Sequence, residues 1–241
     1  DKTAKARKSM KRNLIKKAAI CVAAVLCAGS FGTTAGITGV NVYAETEEIS
    51  RDMMGQYVTQ GYENPAYGFK IQLPETYVLQ ARESMVSLVE EEDMDTIEKS
   101  NSDGAYSKIQ TEASLGSTAL LFSANTQDSS SAIVVQLQTP GIGMDHWDEE
   151  SVIAQNTAET FEDTIKETLG DGVEITNFET NVDTMEFAGK EHAVGMYKCK
   201  INEVPYYGVE IYLRSDDGKS LVAVDMSSLD ADEISKMETY F

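Results

Sequence analysis

The sequence predicts an α+β fold in which helices flank an antiparallel sheet. Apolar residues recur with a period of two along several short runs, which is typical of strands. Turn residues, rather than long crossovers, separate the later runs, so neighbouring strands should be antiparallel. One long stretch instead carries apolar residues at helical spacing, and a sheet is the apolar surface on which such a helix can pack.

The N-terminal segment has the composition of an export signal. Its basic residues precede a stretch without any charge, residues 18–44. The start of that stretch is strongly apolar, and Val42 and Ala44 are spaced like a signal-peptidase site. We therefore predict a signal peptide over residues 1–44, cleaved after Ala44. Residues before Met10 can be upstream sequence.

An uncleaved membrane anchor is the alternative interpretation of this leader, because the uncharged stretch is long enough to span a bilayer. Glycines and threonines in its second half weaken it as a helix. Both interpretations place the rest of the chain outside the cytoplasm.

Residues 45–61 are polar and weakly patterned and are predicted to be an acidic tether, followed by a single domain over residues 62–241. The whole chain has 20 Lys+Arg and 40 Asp+Glu, of which residues 1–44 hold eight and one, so the mature chain has 12 and 39 and a net charge of −27. Such a surface repels phosphates, which excludes nucleic-acid partners. Only Cys199 lies outside the leader, so the mature chain is predicted to form no internal disulfide.

The domain begins with an alternating strand. Phe69, Ile71 and Leu73 alternate with small or polar residues, and Pro74 should end the strand because it lacks an N–H. Residues 76–79 are predicted to continue as extended chain.

A helix is predicted over residues 93–100, with Met94 and Ile97 facing inward, while residues 84–92 carry no assignment. The runs 117–124 and 131–139 are rich in apolar and β-branched residues. They are predicted to form a hairpin that is covered on both faces.

The clearest helix is predicted to start at Asp145, as N-cap, and to stop at Gly170 in a left-handed conformation. Three acidic residues follow the cap, where the helix dipole favours negative charge. The apolar stripe is predicted to pack on the sheet and consists of Trp147, Ala154, Ala158, Phe161, Ile165 and Leu169.

Four extended runs are predicted next, over residues 173–187, 190–201, 206–214 and 220–227. The Asp-Gly pair between the last two predicts a tight hairpin loop. Alternation groups Tyr207 with the inward residues of its run. A last helix is predicted over residues 230–240, with Asp230 as N-cap and Glu233 at the capping-box position.

The pattern Y-x-N-x-x-Y-G-F-K-I-x-L-P-x-x-Y at 62–77, followed by a hairpin, a long helix and F-A-G-K-E-H-A at 187–193, resembles the PsbP-like family. This family comprises extrinsic subunits of photosystem II and secreted bacterial proteins. The resemblance covers residues 62–241 and implies an αβα sandwich with a binding or assembly role. It implies no catalytic residue at any position of this chain.

No catalytic residue is predicted. His146 and His192 are the histidines of the chain, and His192 lies seven residues from Cys199 on one predicted strand, so the two should face opposite sides. Cys199 is interpreted as a packing thiol. The acidic clusters lack the spacing of a calcium-binding loop, so no metal site and no cofactor are predicted.

Aromatic residues are the predicted ligand-binding residues: Tyr206, Tyr212 and Trp147. Tyr206 and Tyr212 share the strand face opposite the predicted core. Two alternatives stay open, because the tyrosines can stand exposed as a binding surface, or a helix can cover them as an αβα sandwich requires.

These observations predict a secreted or cell-surface, non-catalytic module that binds a cell-surface protein or glycan, with no membrane span after signal cleavage. The alternative is an extracellular hydrolase with an active site dispersed along the sequence. A cleft that gathers His146 or Cys199 with carboxylates would favour the hydrolase.

Overall fold

The computed structural model describes residues 49–82, 93–114, 116, 118–140, 145–169 and 173–241. Their strands are β1 (Gln56–Val58), β2 (Gly61–Asn64), β3 (Phe69–Gln72), β4 (Tyr77–Gln80), β5 (Ala119–Thr126), β6 (Ser131–Gln138), β7 (Ile175–Phe187), β8 (Lys190–Ile201), β9 (Val204–Arg214) and β10 (Leu221–Ser228). Their helices are α1 (Arg51–Met54), α2 (Asp93–Ser100), α3 (Asp103–Ser114), α4 (Glu150–Leu169) and α5 (Ala231–Met237), and a 3-10 turn follows (Glu238–Tyr240).

The fold is α+β and is built on a large antiparallel sheet, as the sequence predicts. Seven strands form this sheet in the order β4-β5-β6-β10-β9-β8-β7, and a smaller sheet has the order β1-β2-β3. The strands predicted after residue 117 are confirmed, and their ends shift by two residues at most. Strand β6 is buried along its whole length, which agrees with a hairpin covered on both faces.

Two apolar layers cover the two faces of the large sheet. On one face, the main core joins the small sheet, α3 and α5 to strand residues such as Ile211 and Val224. On the other face, α4 packs Phe161 against Tyr197 and Cys199. Side chains at alternate positions along each strand therefore belong to different layers.

The segment predicted as a tether, residues 45–61, is folded from Ile49 onward, so that prediction is wrong over 49–61. Ile49, Met54 and Tyr57 are buried in the main core. The Ser50 hydroxyl caps α1 by accepting the Met53 N–H at 3.3 Å. The few apolar residues here show no period because each turn or strand is only three or four residues long.

The motif at 62–77 has a local structural role. Burial alternates along β3, as predicted, so Phe69 and Ile71 enter the core. The Asn64 amide nitrogen donates to the Met53 carbonyl at 3.0 Å, while its amide oxygen accepts the Tyr67 N–H at 3.2 Å. The motif thereby fixes the β2–β3 hairpin to α1.

Helix α2 confirms the helix predicted over 93–100, and Ile97 packs partly buried against the main core. Residues 84–92 and the side chain of Met94 lie outside the described part. Helix α3 is not predicted from the residue pattern. It buries Ala105, Tyr106, Ile109 and Ala113, but small and polar residues between them leave only a weak apolar stripe.

Helix α4 begins at Glu150, so the prediction that Asp145 is its N-cap is wrong. Trp147 precedes the helix, and its indole N–H donates to the Gln138 carbonyl at 3.2 Å. Its backbone N–H donates to the Gly218 carbonyl at 2.8 Å. These bonds hold the segment against the sheet without helical structure, which competes with an earlier helical turn. The predicted stop at Gly170 lies outside the described residues.

Strand β7 lies at one edge of the large sheet and contains a bulge. Asn177 and Phe178 together oppose the single residue Cys199 of β8. Asn177 has φ of 53°, in the left-handed region that Asn tolerates better than most residues. The bulge turns Phe178 toward α4, where its ring stacks on Phe161 with centroids 5.5 Å apart.

Helix α5 confirms the last predicted helix. The Asp230 carboxylate accepts the Asp232 N–H at 3.0 Å and so acts as the predicted N-cap. The predicted capping box is wrong, because the Asp230 N–H donates to the Ser228 hydroxyl at 3.0 Å and the Glu233 carboxylate instead accepts the Tyr77 hydroxyl at 3.2 Å, which links α5 to β4.

Candidate functional site

The residues predicted to bind a ligand are buried. Tyr206 and Tyr212 are 1% and 0% exposed beneath α4, and Trp147 is 8% exposed. Of the two alternatives left open for the tyrosines, the structure therefore shows the one in which a helix covers them. None of the three rings faces solvent, and their role in ligand binding stays a prediction.

Tyr212 belongs to a polar row between α4 and the sheet. Its hydroxyl donates to the Glu210 carboxylate at 2.9 Å and lies 3.3 Å from the Tyr197 hydroxyl. Asp225 is the cross-strand partner of Glu210, and both acids are buried. Burial and, to a smaller extent, the charge of Glu210 raise the pKa of Tyr197 and Tyr212 above the ordinary value. Both tyrosines therefore remain protonated donors inside the fold.

The histidines and the cysteine are engaged in separate places. The Glu150 carboxylate lies 3.0 Å from Nδ1 of His192 and also accepts the backbone N–H groups of Ala193 and Arg214, at 3.2 and 2.8 Å. This carboxylate anchors the start of α4 on the sheet. His146 is exposed before α4, whereas Cys199 is buried beneath it.

We expect Cys199 to react slowly with iodoacetamide in the native protein. Burial and, secondarily, the charge of Glu162 raise the pKa of its thiol to about 12, and the thiolate is the reactive form. Compared with an ordinary thiol, this leaves roughly a thousandfold less thiolate at neutral pH. Peptide mass spectrometry with and without denaturant measures labelling at Cys199 alone. Rapid labelling of the folded protein would show that Cys199 is an accessible nucleophile.

A solvent-accessible groove lies on the sheet face opposite α4, between β7, β8, β9 and the first turn of α5. Its volume is about 280 Å³. We call it the β7 groove. Its apolar lining is formed by Met196, Tyr207, Val209 and Ile234. Its polar lining is formed by Glu179, Thr180, Asn181 and Lys198.

The lining of the β7 groove is suited to contact with a partner. Met196 and Tyr207 are half-buried at the margin of the main core. Part of their apolar surface is therefore accessible to solvent, while the main core beneath them stays closed. Lys198 and Glu179 form an exposed ion pair at 3.3 Å, which contributes little to stability and is readily exchanged. The volume is at the lower limit of small-molecule pockets, about 300–1,000 Å³. The groove therefore fits one or two side chains of a larger partner.

The β7 groove opens onto a free edge of the large sheet. Strand β7 is the last strand in the sheet order, and among the described residues it pairs with β8 alone. Side chains along 179–186 are exposed or half-buried. An edge strand presents backbone N–H and C=O groups to which an incoming strand can pair. The β7 groove, which can accept side chains, and the free backbone edge of β7 therefore lie side by side.

Arg82 is a second feature that the residue pattern does not reveal. It is 5% exposed. Its Nε donates to the Leu121 carbonyl at 2.7 Å, and its Nη2 donates to the Met54 and Gly55 carbonyls at 3.0 Å each. The guanidinium also lies over two tyrosine rings, 5.0 and 5.3 Å from their centroids. Arg82 thereby joins the α1–β1 segment to the large sheet.

The β7 groove is missed from sequence because Tyr207 alternates with core residues. Tyr207 does lie on the same face of β9 as these core residues, but that face is fully covered near Ile211 and only partly covered near Tyr207. Lys198 was the available signal. It shares a strand face with Met196, and an exposed lysine on that face indicates that this end of it reaches solvent.

Within the described ranges, no group of three or more His, Cys, Asp or Glu side chains could hold a metal ion. None of the described helices is long and apolar enough to cross a membrane. No protein-family model matches the chain, and no curated protein matches it.

Proposed function

We propose that this chain is an exported, non-catalytic binding module with a PsbP-like sandwich fold, and that the β7 groove is its binding site. One observation carries the proposal: an apolar groove of about 280 Å³ is open to solvent beside a free sheet edge. A partner side chain in the groove would remove the surface of Met196 and Tyr207 from water, which is favourable by about 25 cal/mol per Å².

A cell-surface protein is the partner that suits this groove best. The leader chemistry supports export of the domain, which would be secreted or retained at the envelope. A glycan would need several polar groups converging around a sugar ring. The floor of the β7 groove is apolar instead, and Tyr207 is the ring that its own sheet face contributes, because the Tyr197 ring packs beneath α4.

A photo-crosslinking amino acid at Asn181 tests the proposal. Asn181 lines the groove, and Asn156 offers a matched exposed asparagine on α4, on the other face of the sheet. With intact cells of the producing organism, we expect a discrete adduct from position 181 and none from position 156. Mass spectrometry of the adduct identifies the partner.

Competition supplies the control for this experiment. Excess unlabelled protein should abolish the adduct, whereas excess Ala231→Trp protein should not, because the indole would fill the groove from the exposed first residue of α5. Equal adducts from positions 181 and 156, or equal competition by both proteins, would contradict binding at the β7 groove.

A further inference from the structure

We propose that the partner contributes an extended segment of alternating apolar and basic residues, which adds to the β7 edge as a further strand of the large sheet. This inference rests on the proposed function and deepens it by naming the class of partner. It is carried by the charge along the edge and by the different chemistry of the two sheet faces beside it.

Two glutamates lie opposite each other near the β7–β8 turn. Glu186 and Glu191 are direct cross-strand partners, and both are exposed. Like charges in this position destabilise a strand pair. In the described part of the chain, neither carboxylate forms an ion pair with Lys or Arg, although Lys190 lies next to Glu191 and pairs with Asp216. A lysine or arginine of an added strand would neutralise this repulsion.

The two faces beside the edge differ in chemistry. Beyond the bulge, Met185 and Phe187 belong to the main core, so odd-numbered residues of β7 face the side of the β7 groove. Val182 packs on the α4 side, so even-numbered residues, including Glu186, face that side. Side chains of an added strand would alternate in the same way. Those on one face meet the apolar groove, and those on the other meet the glutamate pair.

A second copy of this chain is a poor occupant of the edge. An antiparallel pairing of two β7 strands would bring together segments that each carry Glu179, Asp183 and Glu186. The whole chain has a net charge of −20, which adds long-range repulsion. The bulge at Asn177 also interrupts the edge, which leaves 179–187 as its regular part. A basic extended segment of a different protein meets no such charge repulsion and can pair along the regular part of the edge.

The test uses the full chain and two synthetic peptides of the length of segment 179–186. One peptide alternates Lys with Val, and its control alternates Glu with Val. Fluorescence anisotropy measures affinity, and hydrogen exchange measures protection of individual amides. We expect the Lys/Val peptide to bind and to protect amides of β7 from exchange. We expect its affinity to fall as the salt concentration is raised. We expect the Glu/Val peptide to bind at least roughly tenfold more weakly.

Charge-reversed variants locate the interaction. The double variant Glu186→Lys with Glu191→Lys keeps a like-charged pair, so its effect on the pairing of β7 with β8 is small. It should lower the affinity for the Lys/Val peptide roughly tenfold. The variant Asp163→Lys with Glu167→Lys makes the same charge change on exposed positions of α4 and should leave affinity unchanged. The variant Ala231→Trp should abolish protection beside the groove.

Several outcomes would overturn the inference and separate it from the proposed function. If both peptides bind equally and the Ala231→Trp variant binds neither, a basic partner is rejected but the groove is retained as a binding site. Equal weakening by both double variants would show diffuse attraction to an acidic protein and reject the edge. Crosslinking from Asn181 without amide protection of β7 by either peptide would reject strand addition alone. Loss of both crosslinking and peptide binding would reject the proposed function as well.

Discussion

Replacing Arg82 by alanine is expected to lower the free energy of unfolding by about 4 kcal/mol. The change removes three hydrogen bonds to buried carbonyls of Leu121, Met54 and Gly55. It also empties the space beside the rings of Tyr57 and Tyr106. A small gain opposes these losses, because Nη1 is buried without a hydrogen-bond partner in the described part of the chain. One relieved donor does not offset three lost hydrogen bonds, although the Met54 and Gly55 carbonyls still accept the Tyr62 and Tyr106 hydroxyls.

Urea unfolding measures this effect, with Arg51→Ala as the matched control. Arg51 also lies over the Tyr106 ring, at 4.6 Å, but its side chain is 62% exposed and pairs with exposed Asp103. Its removal should cost less than about 1 kcal/mol. Arg82→Lys should fall between the two, since lysine keeps the charge but cannot reproduce the planar fork. Similar midpoints for Arg82→Ala and Arg51→Ala would contradict the structural role of Arg82.

Alkaline unfolding is expected as one steep transition at about pH 11. Burial raises the pKa of Tyr57 and Tyr67 to about 12, and it raises the pKa of Tyr62, Tyr77, Tyr197 and Tyr212 as well. In the unfolded chain each tyrosine has a pKa of about 10. The fold therefore favours the protonated form, and this stabilisation is present below pH 10 and lost as the pH rises toward the folded pKa. Each group lowers the free energy of unfolding by about 1.4 kcal/mol per pH unit in that window.

Six such tyrosines remove about 8 kcal/mol within one pH unit, which is comparable with the whole stability of a typical domain, about 5–15 kcal/mol. Circular dichroism and the ultraviolet absorbance of tyrosinate measure the two sides of this linkage. Most of the absorbance should rise together with the loss of secondary structure, and the signal should recover at neutral pH. Formation of most of the tyrosinate near pH 10 in a chain that keeps its circular dichroism would show that these rings are accessible.

The elements that could be predicted are those whose own residues carry a clear period. Strand β8 has the predicted bounds, 190–201, because the hairpin turns at both of its ends are visible in the sequence. The stripe of α4 is equally clear. Helix α3 and the 49–61 segment could not be predicted in this way. Their residues are buried through contacts with distant parts of the chain, such as the bond between the Ile49 N–H and the Gln110 amide at 2.9 Å.

The candidate site was harder to predict than the fold. Alternation correctly separates the two faces of β9, but it does not show how far a helix extends over each face. The tyrosines Tyr206 and Tyr212 are covered by α4, whereas Tyr207, on the opposite face, is the ring that lines a groove. Burial of Arg82 depends on carbonyls from two separate segments. A pattern within one short stretch of sequence cannot show that distant segments contact each other.

The bulge in β7 determines where a gap belongs when this sequence is aligned with a homologue that lacks the extra residue. Ile175 faces α4 before the bulge, and Phe178 faces α4 after it, so odd and even positions exchange sides at Asn177. A homologue without that residue would keep every pair from Ile175 to Phe187 and every contact on both faces. An alignment must therefore place a one-residue gap at Asn177. Any other position for the gap would assign the wrong side of the sheet to the residues between it and Asn177.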